Sequence, residues 1–563
     1  MNVAKSINEY ILDMVDSVSG VKVLILDEFT VNIISVVTPF SSIMQKNVFL
    51  VDVLQNEARQ SLKNMRAIVF VRPTNGNVEL LKAELVNPKY QSYNIYFSNV
   101  ISQHLLEKLA SSDKHELVKN VFEYFTDYLA VDKSIFSLNI SSTASILNNS
   151  WDDIAFRRII DGLSSSLISL KKRPIIRFQQ SSDICKKIAT ELGEKISTNS
   201  HDNGIFDFKM DYETRYHTKA PPQPIVLIID RRDDPVTPLL MQWTYQAMIH
   251  ELIGLKNNVI KYPSTKREEV FSAQYDEFYS NNMYENWGDL CKNVKQVVEV
   301  FQENHNMKES IQTIEDLANF MQNFPSFKKQ QQETEKHVTM VTELRSIVAK
   351  RKLLDVSEVE QEIVCGKNHN KNFEALKDIL SRETTSEKDA LRLVILYALR
   401  YEDNIDNIRT LKTILRRNGV EDIGLIDNAI EHGGKAKRTK GLFDEEPTSI
   451  SFKELFKKVA NEFKDQEVLN VFTQHKPRLY DTLDQLFKGK LSLTDYPFMG
   501  LTSREVPQEV IVFIVGGITY EEASTVDSLN QLDDNFKSVI LGGTCIVNST
   551  TYLKELKRMY EKD

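Results

Sequence analysis

Asp230, Arg231, Arg232, Asp233 and Asp234 follow the apolar run Ile225–Ile229 and are the densest charge cluster at a strand end in this chain. Open α/β sheets bind ligands where their strands end, so one reading of these five residues is an acid/base or metal-carboxylate site. The other is architectural: an aspartate caps the next helix, an arginine pairs internally, and Pro235 fixes the turn. No histidine and no second carboxylate motif accompanies the cluster, and Pro235 and Pro238 stand within reach. Architecture is the stronger reading.

The other chemistry-bearing types are scattered. Cys185, Cys291, Cys365 and Cys545 lie far apart with no CxxC pair, which gives neither a zinc site nor a disulfide framework and suits a reducing compartment. The ten histidines include no HExxH and no His/Cys pair at metal spacing, and there is no GxSxG elbow. A phosphate cradle needs glycines that let backbone amides approach the anion. The first strand instead ends in Leu26-Asp27-Glu28-Phe29. Gly433-Gly434-Lys435 lacks the spacing of a P-loop, and Gly516-Gly517 and Gly542-Gly543 lack a third glycine at the right offset. We expect no catalytic group, no metal and no cofactor.

The elements around these residues set the fold class. Ile7, Ile11, Met14, Val15 and Val18 recur at helical spacing, with Gly20 ending the helix. Val21–Leu26, Val48–Val53, Ala67–Val71 and Ile95–Phe97 are short apolar runs separated by helix-length segments, the pattern of a parallel sheet with helical crossovers. Residues 197–224 turn polar and proline-bearing, as a surface connection does, before the strand at Ile225. From about Ser272 to Arg400 long helices take over. Ile311, Ile314, Leu317, Phe320, Met321 and Phe324 form one stripe, broken by Pro325, and Val338, Val341, Leu344 and Val348 form a second on a polar helix. Thr384 with Glu387 is a capping box opening the helix Asp389–Tyr401. Gly433–Thr448 is basic and then acidic, as a flexible loop is, and Val510–Val515 and Ser538–Leu541 return the chain to strands. The chain thus reads as an α/β start, a helical middle and an α/β finish, with a sheet completed from both sides of a large insertion.

Length and charge narrow the function. At roughly 150 residues per domain, 563 residues make three or four structural units. With 41% hydrophobic and 26% charged residues the chain carries a sizeable core. Its 70 basic and 79 acidic side chains leave a net charge of −9, a poor start for binding nucleic acid. Val510–Ile518, the most apolar run, is too short to span a bilayer, and the polar N-terminus is unlike a signal peptide, so a soluble intracellular protein is expected. Two function classes stay open on these grounds: an α/β enzyme or nucleotide-binding protein with its site at Asp230–Asp234, and a non-enzymatic interaction scaffold.

The stretch Asp230-Arg231-Arg232-Asp233-Asp234-Pro235-Val236-Thr237-Pro238-Leu239-Leu240, followed by Trp243-Thr244-Tyr245-Gln246-Ala247-Met248, resembles the hallmark of the Sec/Munc (SM) family of SNARE regulators. Arg173-Pro174-Ile175-Ile176-Arg177, Gly516 to Ala523, and Leu541-Gly542-Gly543-Thr544 agree with it in order, across most of the chain. Gln474-His475-Lys476-Pro477, Lys488-Gly489 and Tyr496-Pro497 are most similar to the endosomal branch.

The resemblance implies an arch-shaped molecule with two open parallel α/β domains and a mainly helical insertion. It places an N-terminal α/β domain at 1–130 and a second assembled from 131–233 and 461–563, with helical parts at 234–355 and 356–460. It implies a peripheral, monomeric, non-enzymatic protein of Golgi and endosomal membranes. Such a protein binds a syntaxin-type (Qa) SNARE of the trans-Golgi or endosome and promotes its assembly with a vesicle R-SNARE into the SNARE complex. Membrane contact would be indirect, through the SNAREs. By resemblance, Leu106, Leu109 and Val118 line a pocket for the syntaxin N-terminal peptide and Glu123 pairs with a basic residue of it. A hairpin turning or bending at Pro325 presents Val338 and Val341 as a SNARE template, and Asp230, Arg231, Asp234 and Pro235 are structural.

Overall fold

The computed structural model describes residues 1–144, 152–199, 204–206, 208, 223–308, 314–366, 368–439, 442–443, 475–503, 505–532 and 537–560. Most of the expected connection at 197–224, and the loop beyond 443, lie outside them. The chain divides into two units: Met1–Arg231 with Asp481–Ile518 and Thr525–Ile546, and Arg232–Tyr480 with Thr519–Ser524 and Val547–Asp563.

The first unit holds two open sheets. The first contains β1 (Lys22–Leu26), β2 (Val48–Val53), β3 (Leu62–Val71), β4 (Tyr90–Phe97) and β5 (Val118–Glu123) in the order β2-β1-β3-β4-β5. All its pairings are parallel. Every residue of β1 is buried, as a strand covered on both faces must be. Asp27, where a glycine loop would have stood, instead caps the helix Glu28–Val37. Its Oδ1 accepts from the N–H groups of Phe29 and Thr30, and Thr30 closes the capping box. The N-terminal helix is Val3–Asp16 and stops four residues short of Gly20. β5 is an edge strand whose exposed residues gave no continuous apolar run to read.

The second sheet contains β6 (Leu129–Asp132), β7 (Ile135–Ser137), β8 (Ile175–Phe178) and β9 (Ile225–Asp230). The small antiparallel hairpin β10 (Val259–Lys261) and β11 (Glu268–Val270) belongs to the second unit. β12 (Phe498–Met499), β13 (Glu509–Val515) and β14 (Ser538–Gly543) then complete the order β12-β8-β9-β13-β14-β7-β6. The five middle strands are parallel and β12 and β6 are antiparallel edges. β9 and β13 lie in register from Ile225↔Val510 to Asp230↔Val515. The central pair therefore joins strands on either side of the helical insertion.

The second unit is mainly helical. Its helix Glu387–Arg400 is buried over most of its length and packs on Leu353–Cys365 and Leu425–Gly433. Within it Arg392 is 1% exposed, pairs with Glu360 at 2.6 Å and Asp389 at 3.1 Å, and donates to the Leu239 carbonyl. The N-cap is Ser386, not Thr384, and the residue at N3 is Asp389, not Glu387. Arg351 and Arg392 both grip the Asp389 carboxylate, which places the helix start two residues beyond the expected box. Among the described residues no helix is long and apolar enough to cross a membrane.

Candidate functional site

Hydrogen bonds and ion pairs tie the Asp230–Asp234 cluster into the fold. Asp230 ends β9, where its carboxylate accepts from Ser182 Oγ at 2.7 Å and its N–H donates to Gln179 Oε1. The buried Arg231 donates from Nε to the Gly517 carbonyl at 3.1 Å. In the second unit, Asp233 accepts from the Thr439 amide and hydroxyl and pairs with Arg478 at 3.0 Å. Asp234 Oδ1 accepts from the amides of Val236 and Thr237. Its Oδ2 accepts from Thr237 Oγ1 at 2.6 Å and the Arg478 amide at 3.1 Å. The element that follows is a short 3-10 turn, Thr237–Leu239, rather than an α-helix, and its N-cap is Val236. Burial lowers the pKa of His475, which lies 3.2 Å from Thr237, while Asp234 opposes the shift. Gly433 has a packing role: a Cβ there would stand 2.8 Å from the Pro235 ring. Among the described residues no three metal-ligating side chains converge.

The outer edge of the first sheet brings together most, but not all, of the expected pocket. The register pairs Tyr93, Ile95 and Phe97 of β4 with Val118, Val121 and Glu123 of β5. All three β4 residues belong to the core cluster under the helix Gln103–Ser112, so these β5 positions share that helix's face. Leu106 and Val118 are half-buried there and Glu123 is exposed. Leu109 does not line a pocket. It is 2% exposed and sits in the core. Glu123 is already engaged, with Oε1 accepting from the Ile101 amide at 2.9 Å. Val121 is the residue that sequence reasoning missed: it is 37% exposed on the same face. Recognising Val118, Val121 and Phe122 as strand formers would have found it.

The expected hairpin consists of two successive helices, Trp287–Lys308 and Ile314–Lys350, which pack together. Pro325 is not its turn. It lies inside the second helix, whose assignment continues on both sides of it. The buried row of that helix is Thr334, His337, Met340, Leu344 and Val348, with Val338 and Val341 half-buried beside it. The expected stripe therefore straddles two faces. His337, which the apolar stripe passes over, is buried in this row, with its ring between Asp276 and Tyr245.

A family model described as the Sec1 family matches residues 22–555. Vacuolar protein sorting-associated protein 45 of Mus musculus is 42% identical over 568 residues, covering 99% of this chain and 96% of the relative. The protein of that name from Dictyostelium discoideum is 39% identical, with 99% and 96% covered. The SM protein Vps45 solved in complex with the Qa SNARE Tlg2 shares 36% identity at a TM-score of 0.87, over 100% of both chains.

Proposed function

The chain belongs to the Sec1 family, and from that premise we propose that it binds a syntaxin-type Qa SNARE of the trans-Golgi or endosome and promotes SNARE-complex assembly for vesicle fusion. The observation that carries this reading is the full-length likeness to an SM protein solved with a Qa SNARE. The protein acts by binding rather than catalysis, as a monomer. It reaches Golgi and endosomal membranes through its SNARE partners, an R-SNARE of the vesicle among them. A pull-down from cell lysate, with the bound SNAREs identified, tests the proposal. Recovery of no syntaxin-type SNARE refutes it.

Two surfaces would do the work. The first is the face formed by Leu106, Val118, Val121 and Glu123, which would take an apolar side chain of a syntaxin N-terminal peptide. Burying such a side chain contributes roughly 1.5–3 kcal/mol, about tenfold to a hundredfold in affinity. Leu106→Arg should abolish peptide binding in a folded protein, and unchanged binding would move the pocket elsewhere. The second is the helix Ile314–Lys350, with Val338 and Val341 as a strip along which SNARE helices align. Pro325 removes one backbone hydrogen bond within that helix, a cost of about 3 kcal/mol. Pro325→Ala should therefore speed SNARE assembly while Val338→Arg slows it. Equal rates in both variants would remove the template role.

A further inference from the structure

The anchored part of the helix Ile314–Lys350 buries an apolar row, Met340, Leu344 and Val348, with one ring of a different kind at its start. His337 Nε2 lies 3.1 Å from both carboxylate oxygens of Asp276, and Nδ1 lies 2.9 Å from the Tyr245 hydroxyl. Phe278 and Phe271 close over the imidazole at 4.5 and 5.6 Å between centroids. Asp276 is itself the N-cap of Glu277–Asn282, accepting from the Tyr279 amide at 2.8 Å. Lys336, the next residue on the helix, bonds to Asp276 and to the Val270 carbonyl and lies over the Phe271 ring.

We propose that Asp276, His337 and Tyr245 form a register lock, in which His337 is the positioning residue that decides which side of the long helix faces outward. Both ring nitrogens are engaged, and in the neutral ring one donates to Asp276 while the other accepts from Tyr245. Burial lowers the His337 pKa, against the pull of Asp276 and Glu333 and with Lys336 adding to the shift. Burial works against an ionised Asp276, but its contacts with His337 and Lys336 outweigh that and hold it at about 2. An apolar side chain in this slot would pack comparably after a small slide or rotation. A directional pair would not, because any other register leaves a buried carboxylate without its partner. Val338 is the next residue after His337 and Val341 the next after Met340, so turning the helix would carry both away from their present half-exposed positions. The consequence for SNARE binding rests on the template reading above, whereas the lock itself does not.

Thiol labelling of the full chain separates the two. Val338→Cys and Met340→Cys are made singly, and each labelling rate is measured above the background of the four native cysteines. With the lock intact, Cys at 338 should react at least about tenfold faster than Cys at 340, because the buried site must first open. The ratio should fall several-fold in His337→Leu and in Asp276→Ala. His337→Gln, whose amide can both donate and accept, should retain more of it and guards against a Leu variant that does not fold. If none of the three variants lowers the ratio, the lock is overturned. A lowered ratio with unchanged SNARE assembly upholds the lock and counts against the template reading.

Discussion

Replacing Asp234 by alanine tests whether the charge cluster after β9 is structure or chemistry. The carboxylate accepts from the amides of Val236, Thr237 and Arg478 and from the Thr237 hydroxyl, and the residue is 5% exposed. The hydroxyl can turn to His475, 3.2 Å away, which leaves three amides without their acceptor. Each unmet buried donor costs about 1–3 kcal/mol, and with local relaxation the sum should come to about 3–5 kcal/mol. Asp234→Asn keeps one acceptor oxygen but turns an amide NH2 toward donors, so its cost should be smaller, about 1–3 kcal/mol. Thermal unfolding followed by far-UV circular dichroism and tryptophan fluorescence should show the first transition several degrees lower in Asp234→Ala, with Asp234→Asn between. An alanine variant melting within a degree of the native chain would refute the architectural account. A stable variant that had lost a chemical turnover would restore the enzyme reading in its place.

Three further outcomes follow from the packing. Burial holds the His250 pKa at about 4, with Glu251 opposing and Lys388 adding to the shift. Below its unfolded value near 6.5 the unfolded chain therefore takes up a proton that the folded one refuses. Stability should fall as pH drops from 6.5 to 4, by about 3 kcal/mol, and denaturant titrations of His250→Phe should lose that part of the slope. Gly542→Ala should abolish soluble expression or lower the unfolding midpoint sharply, since a Cβ there would stand 2.0 Å from the Phe136 ring. Leu109→Ala should cost about 2–5 kcal/mol of stability through a core cavity. Leu106→Ala should leave the melting curve nearly unchanged and weaken syntaxin-peptide binding, and the reverse pattern would exchange their roles.

Burial on both faces made much of the fold legible. β1, β9 and β13 are continuous apolar runs because helices cover both sides, and they could be read directly from composition. β5 could not, because an edge strand that leaves Val121 and Phe122 exposed carries no such run. The capping box at Thr384 failed for a related reason. A local motif competes with tertiary partners, and Arg351, brought in from another helix, captured Asp389 together with Arg392 of the same helix. At the candidate sites, the resemblance pointed to Leu106 and Leu109 together, and their i, i+3 spacing could not say which of them faced the sheet. Nor could it show that His337, polar by type, was the buried anchor of its helix. Pro325 was read as a bend or as the turn itself, whereas the helix Ile314–Lys350 runs through it.

The pairing of β9 with β13 also bears on how the protein is made. β9 ends at Asp230 and β13 begins at Glu509, so roughly 280 residues must leave the ribosome before the first can find its neighbour. At about 5–20 residues per second that is about 15–60 s during which β9 has one edge without its eventual partner. An apolar strand edge kept waiting that long invites pairing with the wrong chain. Chaperone occupancy of the nascent chain should therefore begin as β9 emerges and end only after β13 is released. Chains terminated anywhere within the helical insertion should aggregate or be degraded instead of accumulating as a stable N-terminal fragment.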